Sequence, residues 1–333
     1  MTDVVKEDIK NNFFDIPESY KQVWEHERFS LMSSSQPEIS RERSEGRLTD
    51  NDVKIVSFLK EAKFATPDQI SRATAIPLDL LLGSSDSRKN PGILTNLFKG
   101  LIVNRFVLSS LMSRDSLEEK GSLKIYTLDF GGDYLLSYEG VDMTNWRPSE
   151  YLTSTTVVKK ALQQVEILIG LKKSKNELRN YEQFKVYRVG NDEVKTDFIA
   201  SLYNPEVPGD IKSIIGYLIE PGYEDLKFRD DIDLLDQVFN KTQAWKRYYP
   251  NQNILAMKLL LIIQDAKNIN QIKAVAQVLA NTTEFEGVTV NIVGYNDVVT
   301  NGLSGSQAFT FIKKENNGKT EISLGKISMS YLK

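Results

Sequence analysis

The chain contains no cysteine and a single histidine, His26. Disulfides, thiol nucleophiles, iron–sulfur clusters and Cys-ligated zinc are therefore excluded. A zinc site built on two or three histidines is excluded too, and a Ser-His-Asp triad would have to use His26. That residue stands among Glu25, Glu27 and Arg28 and reads as a surface position. Any metal would be a hard cation such as Mg2+ held by carboxylates. No sign of charge dominates: 42 Lys and Arg face 45 Asp and Glu, a net charge of −3. Bulk charge thus gives no sign of nucleic-acid binding, although a local basic patch is still open. Long hydrophobic runs are missing as well. Leu259 to Ile263 is far shorter than the roughly 20 residues of a membrane span. The N-terminus carries acids and no apolar h-region, so it does not read as a secretory signal. These absences predict a cytoplasmic chain with no membrane partner. There is also no P-loop, GxGxxG or kinase signature, and Gly131-Gly132 and Gly302 to Gly305 read as turns.

What is present is 333 residues, 41% hydrophobic and 26% charged, which predicts roughly two globular domains. Residues 1–46 form an acidic arm, with 6 basic against 10 acidic residues, and Met32 to Pro37 reads as linker. Phe13, Phe14, Tyr20, Trp24 and Phe29 give the arm aromatic weight. It either packs on its own protein or docks a partner.

Residues 47–140 read as three helices followed by a hairpin. Thr49 with Asp52 resembles a capping box, and Val53, Ile55, Val56, Leu59 and Phe64 follow as an apolar stripe. Thr66-Pro67 opens a second helix as N-cap and N1. A third spans about 91–99, with Ile93, Leu94, Leu97 and Phe98 inward and Gly100 to end it. Strands at 101–107 and 124–128 flank a polar stretch, and 131–140 adds a short helical turn.

Residues 150–333 alternate helix and strand. A striped helix covers 155–172. Strands follow near 183–189, 194–203 and 212–220, then a helix at 228–247 and an apolar strand at 254–263. A helix at 270–280, a strand at 287–294 and a hairpin at 308–314 and 319–324 complete the chain. Only some links are long enough for parallel crossovers, so the sheet should be mixed.

Two constellations carry chemistry. Three helices and a hairpin within some eighty residues are the pattern of a winged helix-turn-helix. Around its third helix, Arg88, Lys89, Lys99 and Arg105 face one acid, Asp86, between 84 and 105. Those cations suit phosphates, and Asn90, Thr95 and Asn96 suit base or sugar contacts. The wing is charge-balanced, with Arg114, Lys120 and Lys124 against Asp115, Glu118 and Glu119. The whole module, 49–130, holds 11 basic and 10 acidic residues, so contact with a protein is the competing reading.

The second constellation is the order αβββαβ from 155 onward, which resembles a restriction-endonuclease-like core. That resemblance implies an Asp on the second strand and a Glu-x-Lys on the third, holding Mg2+ to activate water. Asp197 and Glu220 fit the two acids. Gly222 stands where active enzymes carry lysine, and Lys227 is the nearest substitute.

Together these features resemble the replication-relaxation family of bacterial plasmids and conjugative elements, over about 47–298. Beyond the winged-helix junction, Thr196-Asp197 resembles the family's Pro-Asp, and Ile219-Glu220 its strand-ending Glu. The segment Phe228 to Tyr248 resembles its Lys- and Tyr-bearing helix. Thr196 replaces the proline, and the acidic arm and final hairpin are additional. The resemblance implies an accessory protein that recognises double-stranded DNA at an origin region and helps assemble replication, relaxation or transfer machinery. The arm would meet replication or relaxosome proteins, and a homodimer would present paired winged helices. No cofactor is expected, and Mg2+ only if the nuclease-like site is active. The alternatives are a Mg2+-dependent nuclease and a transcriptional repressor with an α/β sensing or dimerising domain.

Overall fold

The computed structural model describes residues 13, 16, 19–25, 29, 35–83, 90–110, 122–174, 177–189, 192–203, 205–206, 211–219, 257–263, 289–316, 319–327 and 329. The chain is of mixed helix and strand and divides into two compact units, 1–165 and 166–333. His26, Arg88, Lys89, Arg114, Lys120, Glu220, Gly222, Lys227 and the helices expected at 228–247 and 270–280 lie outside the described residues.

The elements of the first unit include β1 (Lys21–Trp24), α1 (Gln36–Ser44), α2 (Asp50–Ala62) and α3 (Pro67–Thr74). There follow α4 (Leu78–Leu82), α5 (Ile93–Lys99), β2 (Val103–Ser109), β3 (Leu123–Leu128) and α6 (Phe130–Tyr138). The expected linker ends earlier than its sequence suggests. Ser35 caps α1, and Pro37 sits in its first turn, where the missing N–H costs nothing. At the head of α2, the Thr49 N–H and hydroxyl both donate to Asp52 Oδ2, at 2.6 and 2.7 Å. Ile55, Val56, Phe58 and Leu59 then turn inward, as the stripe predicts.

The arm contributes a strand. β1 pairs antiparallel with β2, placing Trp24 opposite Phe106, and β2 pairs antiparallel with β3. The sheet order is β1-β2-β3. Trp24 lies on Phe106 with ring centroids 4.5 Å apart, and Phe64 meets both Phe106 and Tyr151 at 5.8 and 5.6 Å. Burial pushes the Tyr151 phenol above its ordinary range, although it accepts a hydrogen bond from Trp146 Nε1 at 3.0 Å. Gln22 Nε2 donates to the Thr153 carbonyl and the Thr155 hydroxyl to the Tyr20 carbonyl, which pins the outer side of β1.

α7 (Thr155–Lys172) runs across the division between units. The second unit then holds β4 (Glu177–Gln183), β5 (Val186–Val189), β6 (Asp192–Lys195), β7 (Phe198–Tyr203) and β8 (Ile211–Ile219). Its later elements are β9 (Met257–Ile263), β10 (Thr289–Gly294), α8 (Tyr295–Gly305), β11 (Ala308–Asn316) and β12 (Lys319–Ile327). Seven strands form one sheet in the order β12-β11-β10-β9-β8-β7-β4. β9 is central and parallel to both neighbours, and every other pairing is antiparallel. The short β7–β8 link permits a hairpin, whereas the long β8–β9 link permits a crossover.

The single strand expected at 183–189 is corrected. β4 ends at Gln183, because Phe184 takes a left-handed backbone (φ 53°), and β5 and β6 form a separate hairpin. The strand expected at 194–203 is broken at Thr196-Asp197 for the same reason: the Phe184 N–H donates to the Asp197 carbonyl. α8 is an element the sequence did not suggest. Gly302, at φ 70° and ψ 165°, interrupts it near its end.

Candidate nucleic-acid interface

The candidate surface begins with α3. Thr66 Oγ1 accepts from the Gln69 N–H at 3.2 Å, and Gln69 Oε1 accepts from the Thr66 N–H at 3.1 Å, a reciprocal cap. The buried Gln69 amide also donates to the Leu162 carbonyl at 2.9 Å. α3 ends at Ala75, which is left-handed (φ 58°, ψ 24°), and three residues later α4 begins. Between them Ile76 is buried, so the turn is anchored from below. α4 itself projects. Only Leu81 faces inward, whereas Leu78, Asp79, Leu80 and Leu82 are exposed.

α4 and α5 are held together by backbone. Gly83 bridges Pro91, and a Cβ on Gly92 would lie 2.3 Å from the Leu81 carbonyl oxygen. A Cβ on Gly83, whose φ is +78°, would lie 2.4 Å from the Asn90 oxygen. Glycine is required at both positions by close approach.

This arrangement corrects the expected third helix. It starts at Ile93, not Pro91, and its N-terminal end is backed by α4, with Gly92 buried. Leu94, Leu97 and Phe98 are buried as expected, whereas Ile93 is only half-buried. The helix pair with a tight turn and a projecting second member is α3–α4. Leu78, Asp79, Leu80 and Leu82 were missed because a leucine-rich segment reads as core. Their signal was the phrase Ala75-Ile76-Pro77, with a turn proline just ahead of the leucines.

Of the expected contacts, Asn90, Asn96 and Lys99 are exposed and Thr95 is half-buried. Arg105 is placed elsewhere. Its Nη2 donates to Glu25 Oε2 at 2.5 Å, and its guanidinium carbon stands 4.1 Å from the Phe98 ring centroid. The Glu25 N–H donates to the Arg105 carbonyl. Burial alone would lower the Arg105 pKa. The Glu25 hydrogen bond and the neighbouring Tyr126 and Glu25 charges outweigh it, and the group titrates above its ordinary value. Arg105 therefore joins the arm to the hairpin and is not offered to a phosphate. Lys99 is thus the described cation of that set left exposed, Arg88 and Lys89 lying outside the described residues.

In the second unit, Asp197 immediately precedes β7 and is buried. Its Oδ2 accepts from the Leu218 N–H at 2.7 Å, and its N–H donates to the Gly216 carbonyl at 3.2 Å. The carboxylate thus completes the β8 edge where β7 has not yet begun. Nearby, Lys185 Nζ pairs with Glu182 at 2.7 Å. Burial would raise the Glu182 pKa, but hydrogen bonds from Lys185 and Asn180 hold it below the ordinary value. Among the described residues no cluster of three or more acidic or histidine side chains is placed to hold a metal ion. Among them, too, no helix is long and apolar enough to cross a membrane.

No protein-family model matches the chain, and no curated protein or solved structure matches it either.

Proposed function

We propose that the chain is a DNA-binding accessory protein of a plasmid or conjugative element, organised like the replication-relaxation family. In this reading residues 47–140 are a winged helix that engages duplex DNA at an origin region. Residues 150–333 are a restriction-endonuclease-like domain without nuclease activity, which helps assemble replication or relaxation machinery. The observation that carries the reading is the projection of α4 from a tight helix pair, beside a hairpin sheet and behind a buried anchor. A helix 10–12 Å across matches a major groove about 12 Å wide. Exposed Asn90, Asn96 and Lys99 supply polar and cationic neighbours.

For the second domain, support comes from the run β4-β7-β8-β9: three antiparallel strands, then a parallel one. Asp197 stands at the head of the second strand of that run. Its bond to the Leu218 N–H, with Gly222 in place of lysine, favours an accessory role over a Mg2+-dependent nuclease.

The test is fluorescence anisotropy with duplex DNA from the element that encodes the chain, at two salt concentrations. Wild type is compared with N96A/K99A and with R88A/K89A. Binding that falls with salt and with both variants is expected, because each lost phosphate contact reduces the salt slope. Absent binding, or binding indifferent to both variants, sinks the reading.

A further inference from the structure

We propose that α4 reads thymine methyl groups in the major groove, so that the chain selects duplex DNA by its apolar edges as well as by charge. This rests on the DNA-binding reading and specifies its sequence class. Leu78, Leu80 and Leu82 are 39%, 53% and 44% exposed, the one cluster among the described large apolar side chains left in water. Leu78 and Leu82 are four residues apart and share a side of α4, while Leu80 lies on another side, so the helix is a knob. A knob apolar on several sides has the shape to enter a groove. Three leucines also fall well short of the roughly 800 Å² per partner that a stable interface between two copies needs.

The major groove offers a helix-wide channel whose apolar feature is the thymine C5-methyl. Asp79, exposed between the leucines, complements the cytosine N4 amino group, the donor that acidic side chains accept from in that groove. Asn90 adjoins the end of α4 through the Gly83 contact and adds an amide at the rim. Lys99 supplies a cation on the helix packed behind.

The experiment compares two duplexes of two to three helical turns, one of alternating dA and dT and one of alternating dA and dU. They have the same charge and pairing and differ in the groove by the methyl alone. Wild type and L78A/L80A/L82A are titrated by anisotropy, with circular dichroism to show that the exposed substitutions leave the fold intact. The expected result is tighter binding of the dA-dT duplex, about fourfold for each methyl buried, with the preference lost in the variant. Salt-sensitive binding of both duplexes with equal affinity would overturn the methyl readout and leave the DNA reading standing. Absence of binding to either would overturn both. If the variant alters only self-association or capture by a protein partner, α4 is a protein-docking knob and the inference fails.

Discussion

Replacing Arg105 with alanine separates an internal role from a DNA-contacting one. The Arg105 and Glu25 side chains are 18% and 14% exposed, so their ion pair is largely withdrawn from water. Removing one member of a fully buried pair costs roughly 3–5 kcal/mol, and an exposed pair contributes about 0–1 kcal/mol. A pair of this exposure falls between, and the lost stacking on Phe98 adds roughly 0.5–1 kcal/mol. Arg105→Ala should therefore destabilise the first unit by about 2–3 kcal/mol. Glu25→Gln keeps the shape and one hydrogen bond, and should cost about 1 kcal/mol. The double variant R105A/E25A should cost less than the sum of R105A and E25A, since the residues share one interaction. Urea unfolding followed by tryptophan fluorescence reads these differences, because the Trp24 ring packs against Phe106 beside the pair. DNA affinity of folded R105A should equal that of wild type. A variant with an unchanged urea midpoint but several-fold weaker DNA binding would show that Arg105 faces DNA, and the reasoning would be wrong.

Three further outcomes follow from the geometry. Gly92→Ala should destabilise the first unit by roughly 2–3 kcal/mol and weaken DNA binding together, because its Cβ would meet Leu81 and Leu82 backbone; equal thermal stability to wild type would refute the close approach. Asp197→Ala should cost about 1–3 kcal/mol in chemical denaturation by leaving the buried Leu218 N–H unpaired, with no effect on DNA affinity; a neutral substitution would show that the bond is dispensable. Glu182, with its pKa depressed, contributes stability that is present above the unfolded value near 4.5 and lost as pH falls through the folded value. NMR titration should place its midpoint below that of K185M, and identical midpoints would dismiss Lys185 as the cause.

The capping signals were legible because they are local. Thr49, Thr66 and Gly100 mark ends that depend on neighbours three or four residues away. The mixed sheet direction was legible from link lengths. Arg105 was not, since its partner Glu25 lies 80 positions away and no periodicity connects them. Strand β1 was missed for the same reason, as its four residues gain a partner only through β2. α4 was hidden by composition: a leucine-rich stretch reads as core, and the close backbone approach of Gly83 and Gly92 that frames it leaves no periodicity to read. The break at Phe184 had no signal, because a left-handed phenylalanine is imposed by the contacts around it.

The pairing of β1 with β2 also sets an order of events during synthesis. Trp24 finds Phe106 only after the ribosome has added the intervening segment. At roughly 5–20 residues per second, β1 leaves the tunnel about 4–16 s before its partner strand. For that interval Trp24 lacks its β2 partner Phe106, while α2 and α3 already have the residues to form. Strand β1 is thus made well before the strand it pairs with, so the three-stranded sheet closes only once β2 has been synthesised.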